Sequence, residues 1–200
     1  MTTEHVRWQV IPAHTPLLVR HCAHCDEQRP FYCHERFRIN GQKRKLDIWL
    51  IYKCSDCGAT WNMEIAARVS PKDIPPSQLR AMEANDAVLA WGYAFDVPTL
   101  RQSGAQIEYP TEYHVLGPAI EWAADEGVLT IELEFPFRFD LRLDRFLQQQ
   151  FSVSRAQVHR LALSGAIMTK PVVDITRHKI RESRLNLTID RPAVRTAMRS

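Results

Sequence analysis

Two C-x-x-C pairs, Cys22-Ala23-His24-Cys25 and Cys54-Ser55-Asp56-Cys57, constrain this chain more than any other feature. Two residues between thiols let one tight turn aim both sulfurs at a single point. Two such turns supply the four donors of a tetrahedral thiolate site. Cys33 brings the cysteine count to five, an odd number that argues against a disulfide framework. The N-terminal residues lack the apolar run of a signal peptide. The longest nearly apolar stretch, 87–95, is broken by Gly92 and is about half the ~20 residues a spanning helix needs. The expected compartment is therefore cytoplasmic, away from membranes, where thiols stay reduced. Cys22, Cys25, Cys54 and Cys57 are read as ligands of a structural Zn²⁺. A redox pair or an iron centre would use the same spacing.

The spacer between the pairs supports the metal reading. Residues 31–39 and 46–52 have strand character, and Asn40-Gly41 between them is a hairpin signal. Phe31, Cys33, Phe37 and Ile39 share one face of the first strand, and Tyr32, His34, Arg36 and Arg38 the other. A hairpin would bring both C-x-x-C turns to one ion, an arrangement that resembles a zinc ribbon. Cys33 falls on the apolar face and reads as core; His21, His24 and His34 read as bystanders. Gly58 is expected where the chain leaves the second turn.

The rest of the chain gives an α+β expectation. Residues 63–69 read as a short helix, and Ser77 as an N-cap for a helical stretch that breaks near Asn85-Asp86. Strands are expected around 113–122 and 128–137, with a turn at 123–127. Glu132 and Glu134 share the wet face of the second of these strands, and His114 reads as structural. In the tail, Leu143, Phe146, Leu147 and Phe151 line one helix face. Ser154-Arg155-Ala156-Gln157 is a capping box opening a second helix that ends at Gly165, and 185–189 closes as a strand. The plan is thus three parts: a zinc-ribbon-like domain, 1–61; a middle region of helices and a β-hairpin, 62–137; and a basic domain, 138–200, with a helix pair and short strands.

Charge follows the same three-part division. The net charge of the whole chain is only +3, but the parts carry +3, −8 and +8. A strongly basic tail suggests an anionic partner. It could equally answer the acidic middle.

Two resemblances add to this reading. Arg36-Phe37-Arg38-Ile39-Asn40, Leu46 through Cys54 and Thr60-Trp61-Asn62 resemble the signature of an uncharacterised bacterial family, a domain of unknown function, which implies a domain plan and no activity. The run R-L-D-R-F-L followed by S-R-x-x-V-x-R-L-x-x-S-G-x-I, over 141–167, resembles the S-four RNA-binding domain, in which basic residues of two helices lie against RNA backbone. The resemblance implies Arg142, Arg145, Arg155 and Arg160 as phosphate contacts, with Gly165 holding the turn after the second helix. The chain departs from that family at Ile167-Met168-Thr169-Lys170-Pro171, where a V-N-G hairpin turn is usual.

No glycine-rich phosphate loop, G-x-S-x-G or H-E-x-x-H motif is present. The expected function is a non-catalytic, zinc-containing RNA-binding protein that contacts structured RNA, rRNA or tRNA, through the basic helix pair. The alternative is a protein-interaction or assembly module, with a protein partner or self-association, whose tail packs on the acidic middle or on that partner.

Overall fold

The computed structural model describes residues 3–122 and 127–199. In chain order its elements are β1 (Thr3–Pro12), β2 (Leu17–Cys22), β3 (Glu27–Gln42), β4 (Lys45–Cys54), β5 (Thr60–Val69), α1 (Pro76–Glu83), α2 (Ala87–Ala94), α3 (Val97–Gln102), β6 (Gln106–Glu108), β7 (Tyr113–Leu116), β8 (Val128–Glu134), α4 (Leu143–Phe151), α5 (Arg155–Leu163), β9 (Ile167–Lys170), β10 (Arg184–Asp190) and α6 (Arg191–Met198). The fold is α+β, as expected.

The chain divides into two compact units, and not at the expected boundaries. His14–Pro110 forms one, the inserted unit; the described residues up to Ala13 and from Thr111 onward form the other, the host unit. The cut expected at 61/62 runs through β5, whose Trp61 and Asn62 pair with Tyr52 and Ile51 of β4. β1, expected to belong with the ribbon, instead pairs in parallel with β8.

The inserted unit is an antiparallel sheet in the order β5-β4-β3-β2-β6. Alternation places Phe31, Phe37, Ile48, Leu50, Tyr52 and Met63 in one buried cluster with Met82, Ala90, Ala94 and Leu100 of α1–α3. Burial of each large apolar side chain of this kind contributes about 1.5–3 kcal/mol. Residues 63–69 are strand, not helix: Trp61, Met63 and Ile65 alternate inward, and pairing with β4 overrides the helical preference of Glu64-Ile65-Ala66-Ala67. The hairpin turn lies at Lys43-Arg44, both at positive φ, because Asn40 and Gly41 are taken into the ladder opposite Asp47 and Leu46. The cap of α1 is Pro75 rather than Ser77, whereas Asp86 and Asp96 cap α2 and α3 through the Leu89 and Thr99 N–H groups.

The host unit has a mixed sheet in the order β7-β1-β8-β10-β9. Val6, Trp8, Leu129, Ile131, Leu133, Leu185, Leu187 and Ile189 are buried along its central strands. Leu143, Phe146, Leu147 and Phe151 are the buried face of α4, and the Trp8 and Phe146 rings meet edge to face at 6.4 Å. The expected strand at 113–122 is confined to 113–116, and that at 128–137 to 128–134. Of the expected turn at 123–127, positions 123–126 lie outside the described residues. The capping box at Ser154 forms, and Gly165 takes φ +74°.

Dividing the chain this way alters the charge pattern. The inserted unit carries 12 basic and 11 acidic residues and the host 14 and 12. The contrast of −8 against +8 comes from cutting the host sheet in two: Glu132 and Glu134 of β8 pair with Arg184 of β10, and Glu132 also with Arg7 of β1.

Candidate metal centre and basic helix pair

The two C-x-x-C turns join adjacent strand pairs, β2 to β3 and β4 to β5, and β3 pairs with β4. Both turns are built alike. The N–H of the fourth residue after the first cysteine donates to that cysteine's carbonyl, Asp26 to Cys22 at 2.8 Å and Gly58 to Cys54 at 3.0 Å. Asp26 and Gly58 accordingly both adopt the left-handed conformation, φ +57° and +72°. A further bond, Ser55 N–H to the Pro30 carbonyl at 2.9 Å, ties the second turn to β3 beyond the first.

The four sulfurs converge. Sγ atoms of Cys22, Cys25, Cys54 and Cys57 all lie within 4.8 Å of one another, with Cys22 to Cys57 at 3.6 Å and Cys25 to Cys54 at 3.9 Å. Such a cluster can hold a metal ion. Cys22 and Cys54 are buried among Phe31 and Tyr52, with Trp61 packed beside them and the Arg20 guanidinium 4.2 Å over the Trp61 ring. Arg29 lies next to the cluster, ion-paired to Glu27 at 2.8 Å and to Asp56 at 2.7 Å.

Crowding makes the thiols unlike one another. A hydrogen bond from the Cys25 backbone N–H, with others from His24, Cys57 and Cys54, holds the Cys22 thiol down to about 6 against the opposing effect of burial. Cys25 is pushed up to about 12, first by its hydrogen bond with Cys57 and then by burial. One sulfur ionises readily and its charge keeps a proton on another, so four thiolates at neutral pH require a cation to balance them. Cys33 stays outside this group. It is buried on the inner face of β3 opposite Tyr52, and burial raises its thiol to about 12. His21 pairs with Asp26 at 3.4 Å.

The four arginines of the tail fall into two kinds. Asp144, 4% exposed near the start of α4, accepts a two-pronged contact from Arg142, 3.0 Å for each nitrogen, and further bonds from Arg155 Nη2 at 2.7 Å and Nε at 3.1 Å. Arg142 also donates to the Thr176 carbonyl at 2.6 Å. Burial pushes the Asp144 carboxyl up, but the hydrogen bonds from Arg142 and Arg155 outweigh it and hold the acid below its ordinary value. Arg155 therefore ties α5 to α4, and Arg142 ties the start of α4 to the segment at Thr176. Arg145 and Arg160 are exposed, and neither enters a salt bridge with a described residue. Sequence reasoning misses Asp144 as the node, because its contact with Arg155 forms only once α4 and α5 pack together.

A family model described as a protein of unknown function, DUF1062, matches residues 39–172. The matched span includes Cys54 and Cys57 and all of α4 and α5, and begins after Cys22 and Cys25. No curated protein and no solved structure matches the chain. No helix among the described residues is long and apolar enough to cross a membrane.

Proposed function

We propose that this chain, which belongs to the DUF1062 family, is a non-catalytic RNA-binding protein. In this reading a structural Zn²⁺ closes the Cys22, Cys25, Cys54 and Cys57 cluster, and α4–α5 contacts structured RNA such as rRNA or tRNA. Zinc–thiolate bonds of about 2.3 Å in a tetrahedron give sulfur–sulfur edges of roughly 3.8 Å. The separations of 3.6 and 3.9 Å bracket that value. Four sulfurs leave no open position for a reacting water, so the ion's role is to hold the two turns together.

The observation that carries the RNA reading is the helix pair. Arg145, Arg155, His159 and Arg160 are exposed while Leu143, Phe146, Leu147, Val158 and Leu161 are buried. Asp144 ties Arg155 of α5 to α4, which favours a fixed spacing of the exposed cations against phosphates. The test is anisotropy of a labelled RNA hairpin over a salt series, with metal content measured on the same preparation. Wild type should carry about one Zn²⁺, and its affinity should fall with salt by several log–log units. Arg145→Glu with Arg160→Glu should abolish binding while leaving melting unchanged, because neither side chain holds Asp144 and the Arg145 backbone N–H that does is kept. Salt-insensitive or absent binding would defeat the reading.

A second reading is favoured by a different observation. Leu163, Met168 and Val172, all exposed apolar residues, rim a cleft of about 720 Å³ between α5 and the segment after β9. That cleft fits a protein-interaction module. Recovery of one stable protein partner from nuclease-treated lysate, lost on Leu163→Glu but kept in the arginine variant, would support it over RNA.

A further inference from the structure

The face of the β3–β4–β5 sheet that α1–α3 leave open carries a pattern that the metal site does not use. Inward positions are apolar; the alternate positions bear aromatic rings set among cations. Cross-strand register puts Tyr32 opposite Lys53 and Arg38 opposite Trp49, with Ile51 between them on β4. The Arg38 guanidinium lies 5.9 Å from the Trp49 ring, and Tyr32 meets His34 edge to face at 6.4 Å. Tyr32 is 40% exposed, and Trp49 is half-buried. Trp49 lies four residues along β4 from Lys53, so the two rings are about 13 Å apart along the sheet.

Charge on this face is one-sided. Arg36 and Arg38 are exposed, Lys53 is half-exposed, and Lys43, Arg44 and Lys45 follow at the exposed end of the same hairpin. Against these stand Glu64 and Asp47, and Asp47 already accepts the Arg68 backbone N–H at 2.7 Å. Glu35 is turned away, accepting from Trp91 Nε1 at 2.6 Å. His34 is held below its ordinary value first by burial and then by Lys53 and Arg36, against the opposing charge of Glu35.

We propose that this face binds an unpaired single strand of RNA, with bases stacked on Tyr32 and Trp49 and phosphates held by Arg36, Arg38, Lys53 and the Lys43–Lys45 hairpin end. Flat rings reward unpaired bases, whose faces are free, and not a duplex, whose bases are already stacked. Interleaved cations follow the backbone between the stacked bases. Only the choice of ribose over deoxyribose rests on the RNA reading of α4–α5; the platform stands on its own residues.

The experiment uses the metal-loaded 200-residue chain and labelled oligouridylate, oligodeoxythymidylate, duplex DNA and the RNA hairpin. Tyr32→Ala with Trp49→Ala should weaken oligouridylate binding about tenfold or more for each ring. Arg38→Glu with Lys53→Glu alters exposed side chains and keeps the test valid if the aromatic variant folds poorly. It should weaken binding too, with the log–log salt slope falling by about 0.7 for each phosphate that the variant no longer neutralises. Oligouridylate affinity unchanged within about twofold in correctly folded, metal-replete variants would overturn the proposal, as would no oligouridylate binding or equal affinity for duplex DNA. Equal binding of oligodeoxythymidylate would overturn the restriction to RNA. Hairpin binding that depends on Arg145 and Arg160, without oligouridylate binding, sinks this inference and spares the helix-pair reading. Oligouridylate binding that depends on Tyr32 and Trp49, without hairpin binding, does the reverse.

Discussion

Each unit carries a polar node of its own, the cysteine cluster in one and Asp144 in the other, and the two solve opposite problems. In the inserted unit four sulfurs converge within 4.8 Å, a group of like charges once ionised, which only an added cation can balance. In the host unit one carboxylate, Asp144, meets two guanidinium groups supplied by the chain itself. A metal ion held at the first node would tie folding to metal availability, since binding to the folded site is folding free energy. The second makes it depend on pH. Two five-stranded sheets of the same chain thus acquire different sensitivities from the chemistry at one corner of each.

The sharpest way to separate them is Cys54→Ser. Cys54 is buried, 1% exposed, so the variant loses a ligand where no water can easily replace it. On the order of 10 kcal/mol of metal-binding free energy is at stake. Metal content should fall to near zero and the inserted unit's melting transition should disappear, with a chelator reproducing both effects on wild type. Host-unit melting should persist. Loss of both transitions together would show that the nodes are not independent.

The next largest effect belongs to Asp144→Ala, which removes the acceptor shared by Arg142 and Arg155. Both arginines are at least 40% exposed on their side chains and can return to water, so the cost is about 2–3 kcal/mol rather than that of a sealed pair. Urea midpoints would measure it, with metal content unchanged. The pH dependence follows from the direction of the shift. The folded acid is depressed below its unfolded value of about 3.9, so its stabilisation is complete above that value and is lost as pH falls through the folded pKa. The acid limb of host-unit stability should therefore shrink in the variant.

Glycines give a smaller contrast. A Cβ at Gly117, φ +154°, would stand 2.5 Å from the Arg7 carbonyl and 2.5 Å from Trp8, so Gly117→Ala should displace β7 from β1 at a cost of about 2 kcal/mol. A Cβ at Gly58, φ +72°, meets nothing within 4 Å, and Gly58→Ala should cost only the backbone term, about 1 kcal/mol. Thermal melting of each unit would rank them.

What can be read from the sequence divides along the same line as the units. The C-x-x-C turns and the capping box at Ser154 are local, each decided within a few residues, and they form. The inserted unit is a chain of neighbouring hairpins, so its four clustered cysteines are legible. The host sheet is not: β1 reaches β8 more than a hundred residues away, and no local signal names a parallel partner. Sequence reading therefore assigns β1 to the ribbon and divides the charges across a single sheet. Asp144 escapes for the same reason, since its role exists only once α4 and α5 have docked. Met63 to Val69 reads as helix only when propensity is weighed above the two-residue alternation of Trp61, Met63 and Ile65.

Cys33 supplies an effect no larger than that of Gly58→Ala and the finest check on the inserted unit's node. It shares a strand with the route between the two turns, yet its thiol faces Tyr52 and accepts the Glu35 N–H at 3.4 Å. Burial raises it to about 12, so at neutral pH it is a protonated, unreactive core group. Cys33→Ala should cost about 1 kcal/mol for the lost packing and leave metal content untouched. Alkylation of the native, metal-loaded protein should spare Cys33, and only after chelation and unfolding should all five cysteines be modified. Metal loss in Cys33→Ala, or early labelling at Cys33, would place this thiol inside the metal centre and end the separation between its four ligands and the core beside them.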